Sequence, residues 1–191
     1  MAFMCHPAGA VGKVGDARYE WPMRRVLISL SLCPMVVSAS VAAQDSRLIG
    51  IFGNWSAFVR TEAGKKVCYM GSVPDKETGE YERRGGTFVL VTHRPSERRF
   101  DVVSVEAGYT YKEGTEVTVL IGGQGSPMFI SGAVAWARDA KADRAMVGAM
   151  KRGLEMVVRG TSSRSTLTED TYLLSGFTAA HAAIAKACGV K

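Results

Sequence analysis

The chain has 191 residues, 24 Lys and Arg against 18 Asp and Glu, a formal net charge of +6, and 47% hydrophobic residues. These values fit a single domain with a proper core. They exclude a nucleic-acid footprint, because basic residues are nowhere interleaved with aromatics on one element.

The first 22 residues, MAFMCHPAGAVGKVGDARYEWP, look like no targeting element and read as an upstream extension of the true start. From Met23 the chain reads as a secretory signal peptide over residues 23–43. Arg24 and Arg25 form the charged region, Val26 to Val37 the apolar region, and Val41-Ala42-Ala43 the small-residue cleavage site. The apolar run is too short for a stable membrane anchor. A lipoprotein reading is disfavoured, since Leu30-Ser31-Leu32 puts a bulky leucine directly before Cys33, where a small residue is wanted.

Cleavage leaves a domain over residues 44–191, which is 148 residues (191 − 43). Its charge falls to +4, because four of 24 basic and two of 18 acidic residues leave with the leader. Cys5 and Cys33 leave too, and Cys68 and Cys188 remain. Two cysteines in an exported chain read as one disulfide, with two unpaired buried thiols as the alternative. Such a bridge closes 120 positions (188 − 68), for which the chain-entropy model allows roughly 5 kcal/mol as an upper figure. The two remaining histidines, at spacings unrelated to the cysteines, give no metal-ligand pattern.

Strands dominate the domain. FVLVTHR at 88–94 sets Val89, Val91 and His93 on one face, and DVVSVEA at 101–107 sets Val103, Val105 and Ala107 inward. EVTVLI at 116–121 alternates likewise, and shorter strands are expected at 55–59, 66–70, 128–130, 134–137, 155–161 and 171–174. Turn clusters separate them, including Gly122-Gly123-Gln124-Gly125, which lacks the lysine and hydroxyl of a phosphate loop and reads as a hairpin turn. Arg83-Arg84 and Arg94…Arg98-Arg99 read as solvated loops with at most a weak attraction to an anionic surface. Two helices complete the pattern. One at 142–152 aligns Ala142, Ala145, Met146, Ala149 and Met150, with Asp139 or Asp143 as cap. The other, about 178–188, aligns Phe177, Ala180, Ile184 and Cys188, with Thr178 as cap and Gly189 after its end. The expected fold is an antiparallel, immunoglobulin-like β-sandwich of seven to nine strands with two short helices, the last at the C-terminus.

Three segments carry a family resemblance: FVLVTHRP, GYTYKEGTEVTVLIGG, and the stretch from AWARDAKADRAM to the terminal AKACG. Together they resemble the invasion associated locus B proteins of alphaproteobacteria, from about Phe52 to Cys188. The most specific parts are THRP at 92–95, MKRG at 150–153 and DTYLLSGFTAA at 170–180. The resemblance implies a small exported protein with a sandwich-like fold and a setting in host-cell invasion. It supplies no catalytic residues. Where members commonly carry Arg-Gly in the turn after Gly-Thr-Ser, this chain carries Arg164-Ser165.

No catalytic constellation, cofactor motif or metal site emerges. His93 ends an apolar strand and His181 lies on a helix stripe. No G-x-S-x-G elbow accompanies either, so packing or a polar contact accounts for both. Glu169-Asp170 is too generic to name an acid and a base, and Trp55 and Trp136 read as core. The expectation is an exported, periplasmic or secreted envelope protein that binds an unknown protein partner in the envelope or on a host cell. It has no nucleic-acid partner and no transmembrane segment in the mature chain. The alternative is a hydrolase or inhibitor of envelope polymers whose site the sequence does not reveal. A cleft gathering His93 or His181 with Glu169 or Asp170 would favour that alternative.

Overall fold

The structure, a computed structural model, describes residues 46–81 and 83–190. The expected extension, the signal peptide with its cleavage boundary, and Cys5 and Cys33 lie outside the described residues. Eleven strands run antiparallel: β1 (Arg47–Phe52), β2 (Trp55–Glu62), β3 (Lys65–Ser72), β4 (Lys76–Thr78), β5 (Phe88–Arg94) and β6 (Arg99–Glu106) come first. After them come β7 (Val117–Ile121), β8 (Gln124–Ser131), β9 (Val134–Ala137), helix α1 (Ala140–Met150), β10 (Glu155–Thr161), β11 (Leu167–Leu173) and helix α2 (Phe177–Cys188).

The class is as expected: mostly antiparallel sheet, two helices, the last at the C-terminus. The layering is not two separately bonded sheets. All eleven strands join one sheet in the order β1-β2-β3-β5-β6-β9-β8-β7-β10-β11-β4. Strands near opposite ends of that order then meet. The Trp55 indole N–H donates to Leu173 O at 3.1 Å, and the Asn54 N–H donates to Ser175 O at 3.1 Å. The chain crossing there needs Gly176, at φ 87°, because a Cβ would lie 1.8 Å from Phe52 O. One apolar face is thus enclosed. Alternation along each strand fills it with Val89 and Val91, Val103 and Val105, Val117 and Val119, all 0% exposed.

Most expected strands are found within a few residues. β5 covers residues 88–94 as expected, with Val89, Val91 and His93 inward. The Gly122-Gly123 turn joins Ile121 to Gln124 as a two-residue hairpin, both glycines at positive φ (57° and 80°), the geometry that matches strand twist. The two strands without a sequence signal, β1 and β4, are the two edges of the sheet. Their half-exposed residues need no alternation.

Both helices start slightly earlier than expected. Asp139 caps α1, its carboxylate accepting from the N–H groups of Lys141 and Ala142 at 2.8 Å. The buried stripe of α1 is Asp143, Met146, Val147 and Met150, so Ala145 stays exposed, contrary to the apolar count. Asp143 turns inward because its carboxylate accepts from Val103 N–H at 2.8 Å, beside a part of β6 that β9 does not reach. Helix α2 begins after Gly176, and Thr178 makes no cap. It seats Phe177, Ala180 and Ile184 in the core at 0–1% exposure. Burying side chains the size of Phe177 and Ile184 stabilises by roughly 1.5–3 kcal/mol each.

Candidate functional site

Three arrangements of side chains stand out. The first joins His93 on β5, Asp101 on β6 and His181 on α2. Pairing of β5 with β6 slips between Thr92 and Arg94, so β6 carries an extra residue opposite His93. Asp101 takes a left-handed backbone there, φ 59°, and its N–H donates to His93 Nδ1 at 3.1 Å. That bond fixes the neutral His93 tautomer with hydrogen on Nε2, which is buried and has no partner among the described residues. Burial pushes the His93 imidazole below its ordinary pKa, against the attraction of Asp101. The Asp101 carboxylate accepts from His181 Nε2 at 2.7 Å, and this bond holds it below the usual carboxylate range.

His93, Asp101 and His181 each offer a possible ligand atom within 4.8 Å of the others. The hydrogen bonds decide against a ligand set. His93 Nδ1 is occupied by a backbone donor, and His181 faces Asp101 with a donor rather than a lone pair. Among the described residues no hydroxyl or thiol joins the dyad as a nucleophile. Two turns further along α2, Cys188 is bonded to Cys68, with Cα atoms 5.9 Å apart, within the ordinary range for a disulfide. The bridge and the His181–Asp101 bond both tie α2 to the sheet.

The second arrangement corrects the reading of Arg83-Arg84 as a solvated pair. The Arg84 side chain is only 3% exposed. It donates to both oxygens of Asp170 at 2.6 and 2.5 Å and, from Nε, to Ala107 O at 2.7 Å. Tyr81 and Tyr109 face the guanidinium at 5.3 and 5.1 Å from their ring centroids. Burial works against the charge on both partners, and the paired hydrogen bonds hold Arg84 charged, its pKa above the ordinary value. A sequence alone cannot show this, because the Asp170 partner lies 86 residues away. Neighbouring Glu169 points elsewhere, to Arg159 at 2.6 Å. Neither carboxylate meets a histidine, so the cleft that would favour hydrolysis is not formed by these residues.

The third arrangement is a groove of about 1410 Å³ on the outer face of the sheet. Its floor crosses β3, β5, β6, β9 and β8, with Tyr69 on β3 and the registered row Leu90–Ser104–Trp136–Phe129 on the other four. At about 4.8 Å per strand the five strands span roughly 19 Å. Trp136 therefore lines the groove, half-buried, instead of joining the core as Trp55 does. Its period-2 phase, opposite the inward Ala135 and Ala137, is the signal for that outward face. Phe100 and Phe129 remain 37% and 49% exposed. Arg60, Arg94, Arg98, Arg99, Arg138 and Arg144 stand around them. The Arg94 part of the basic run is thus strand, not loop, and pairs with Glu62 at 2.5 Å.

Residues 55–185 match the family model described as Invasion associated locus B (IalB) protein. Among solved structures, the chain is similar to the crystal structure of invasion associated protein B from Bartonella henselae. Identity is 16%, coverage is 72% of this chain and 95% of that one, and the TM-score is 0.49. No curated protein matches.

Proposed function

We propose, starting from the fact that this chain belongs to the invasion associated locus B family, that it is an exported envelope protein acting by binding another protein. The outer-face groove carries this reading. Aromatic side chains with arginines around them are the composition of protein-binding hot spots. The groove is also larger than the 300–1000 Å³ of typical small-molecule sites. Its floor is a rigid, fully paired part of the sheet, so little ordering cost attends docking.

Export is supported by the leader-like segment at 23–43 and by the Cys68–Cys188 disulfide, a bond that persists in oxidising compartments. Among the described residues no helix is long and apolar enough to cross a membrane. The address is periplasmic or secreted, with the mature domain starting near Gln44. A contribution to envelope integrity or host interaction follows from the family setting.

The test is a photo-crosslinking amino acid at position 129, with a second at exposed Glu113, which does not line the groove, in intact cells of the native host. A discrete protein adduct from 129 and none from 113 is expected. Equal, diffuse labelling from both positions overturns protein binding through this face. Mass spectrometry of the same material should show a chain beginning near Gln44, and protein retaining Arg24 and Arg25 overturns export by cleavage.

A further inference from the structure

We infer that the groove takes an acidic segment of a partner protein, its carboxylates held by Arg98, Arg99 and Arg144 and its apolar side chains by Trp136 and Phe129. This rests on the protein-binding reading above and names the chemistry of the occupant.

The charge within the groove is unevenly spent. Arg60 and Arg94 both face Glu62, and Arg138 pairs with Glu116 at 2.5 Å. Arg98, Arg99 and Arg144 have no carboxylate partner within 4.0 Å among the described residues, and all three are exposed. The acids that line the groove are committed elsewhere. Asp101 accepts from His181, Asp139 caps α1, and Asp143 caps the Val103 N–H. Glu97 lies 3.8 Å from Arg94. Six arginines face four carboxylates in the lining, so its balance is cationic.

That charge is also gathered at one end. Arg98 directly precedes β6 and Arg99 opens it, and Arg144 follows Asp143, whose carboxylate reaches the same half of β6 at Val103. The other end is the Trp136–Phe129 floor. Guanidinium groups recognise carboxylates through paired, directional hydrogen bonds. Along β6 the five steps from Arg99 to Ser104, which pairs with Trp136, cover about 17 Å at about 3.3 Å per residue, so about six extended residues reach from the arginines to the aromatic floor. The floor strands are already paired on both sides, so the segment is read by its side chains and does not add as a strand. Two or three acidic residues followed by two or three large apolar ones match the groove.

The probe is a fluorescein-labelled synthetic peptide, Asp-Glu-Asp-Gly-Leu-Trp-Leu, titrated against the mature protein by fluorescence anisotropy. The groove is mapped by NMR shifts of the Trp136 indole and the β6 amides. Companion probes are the Asn-Gln-Asn version of the peptide and vesicles of phosphatidylglycerol. Saturable binding with shifts confined to the groove is expected. It should weaken at least about tenfold in the Asn-Gln-Asn peptide and in Arg99→Glu/Arg144→Glu, the fold-change of one charge-assisted contact. The variant should stay folded and lose no more than a few degrees of melting temperature, because both side chains are exposed and their charges act on Asp143 and Asp139 only across the surface. Absence of saturable peptide binding overturns the inference, and so does binding indifferent to the arginine reversal. Arginine-dependent binding of the vesicles without the peptide also overturns it, in favour of a lipid surface. A native adduct at position 129 that survives the arginine reversal would sink the acidic segment while leaving protein binding standing.

Discussion

The Arg84–Asp170 pair and the His93–Asp101–His181 cluster are both buried polar groups on the same sheet, yet one is complete and the other is not. Around Arg84 the donors of the guanidinium reach Asp170 and Ala107 O, and two tyrosine rings enclose it. Around His93 one ring nitrogen is satisfied, the other is buried without a partner, and Asp101 sits in a left-handed conformation. An unmade hydrogen bond to a buried donor costs about 1–3 kcal/mol. The second cluster persists because α2 is also held by a covalent bond and an apolar face. A complete network stabilises its own neighbourhood, whereas an incomplete one leans on what surrounds it.

The largest effect should come from opening the complete network. Asp170→Ala leaves the buried Arg84 charge with only Glu77, at 3.4 Å, as a carboxylate partner, which costs about 3–5 kcal/mol. At roughly 2–4 °C per kcal/mol for a domain of this size, the melting temperature should fall by about 10 °C or more. Replacing both partners, Arg84→Met with Asp170→Leu, should recover most of that loss in urea denaturation. A single variant with unchanged midpoint would show that the pair is not the anchor its geometry describes.

Next comes the covalent support of the incomplete cluster. Cys188→Ser should cost about 2–5 kcal/mol, and its distribution matters more than its size. Hydrogen exchange should rise along α2 and near His93, while the amides around Ala107 and Asp170 keep their protection. Uniform loss across both regions would erase the contrast between them.

The titration of His93 separates the clusters more finely. Its folded pKa lies below its unfolded one, so the unfolded chain takes up a proton first as pH falls. Stability from this group is therefore full above the unfolded value, about 6.5, and declines below it. Asp101, also lowered, adds a second loss only at much more acid pH, through its still lower folded value. His93→Asn keeps an acceptor for the Asp101 N–H and cannot titrate. The variant should show a flatter dependence of unfolding free energy between pH 7 and 5 than the parent. Equal slopes would assign the acid loss to other groups.

How much of this was legible beforehand depends on distance along the chain. Alternation exposed β5, β6 and β7 and their inward residues, because a period of two is local. The turn chemistry of Gly122-Gly123 and the small-polar-apolar order of the C-terminal helix are local as well. Cysteine count pointed to the Cys68–Cys188 bond, since compartment and number do not require coordinates. The Arg84–Asp170 pair and the His93–His181 approach join positions 86 and 88 apart, and no pattern in sequence marks them. Asp143 inside the α1 stripe was hidden for another reason: its burial follows from where β9 stops, not from its own side chain. The groove was invisible because it is made by register across five strands, and no local pattern says which strands lie side by side.

The smallest effect tests backbone strain in isolation. Asp101 and Ser165 both hold positive φ, 59° and 67°, a conformation that costs a side-chain-bearing residue roughly 1–2 kcal/mol. At Asp101 the carboxylate returns a bond to His181, charge-assisted and half-buried. At Ser165 the hydroxyl only accepts from the Lys112 ammonium at 3.0 Å on the exposed surface, where such a contact contributes little. Glycine relieves both backbones equally, at an entropic cost of about 0.5–1 kcal/mol in the unfolded chain. Ser165→Gly should therefore stabilise by a few tenths to about 1 kcal/mol. Asp101→Gly should destabilise, because the lost hydrogen bond to a charged group, about 1.5–3 kcal/mol, exceeds the relief. Opposite signs in the two denaturation midpoints would show that strain at the histidine cluster is retained for its side chain. Matching signs would mean that the left-handed turn at Asp101 owes nothing to His181.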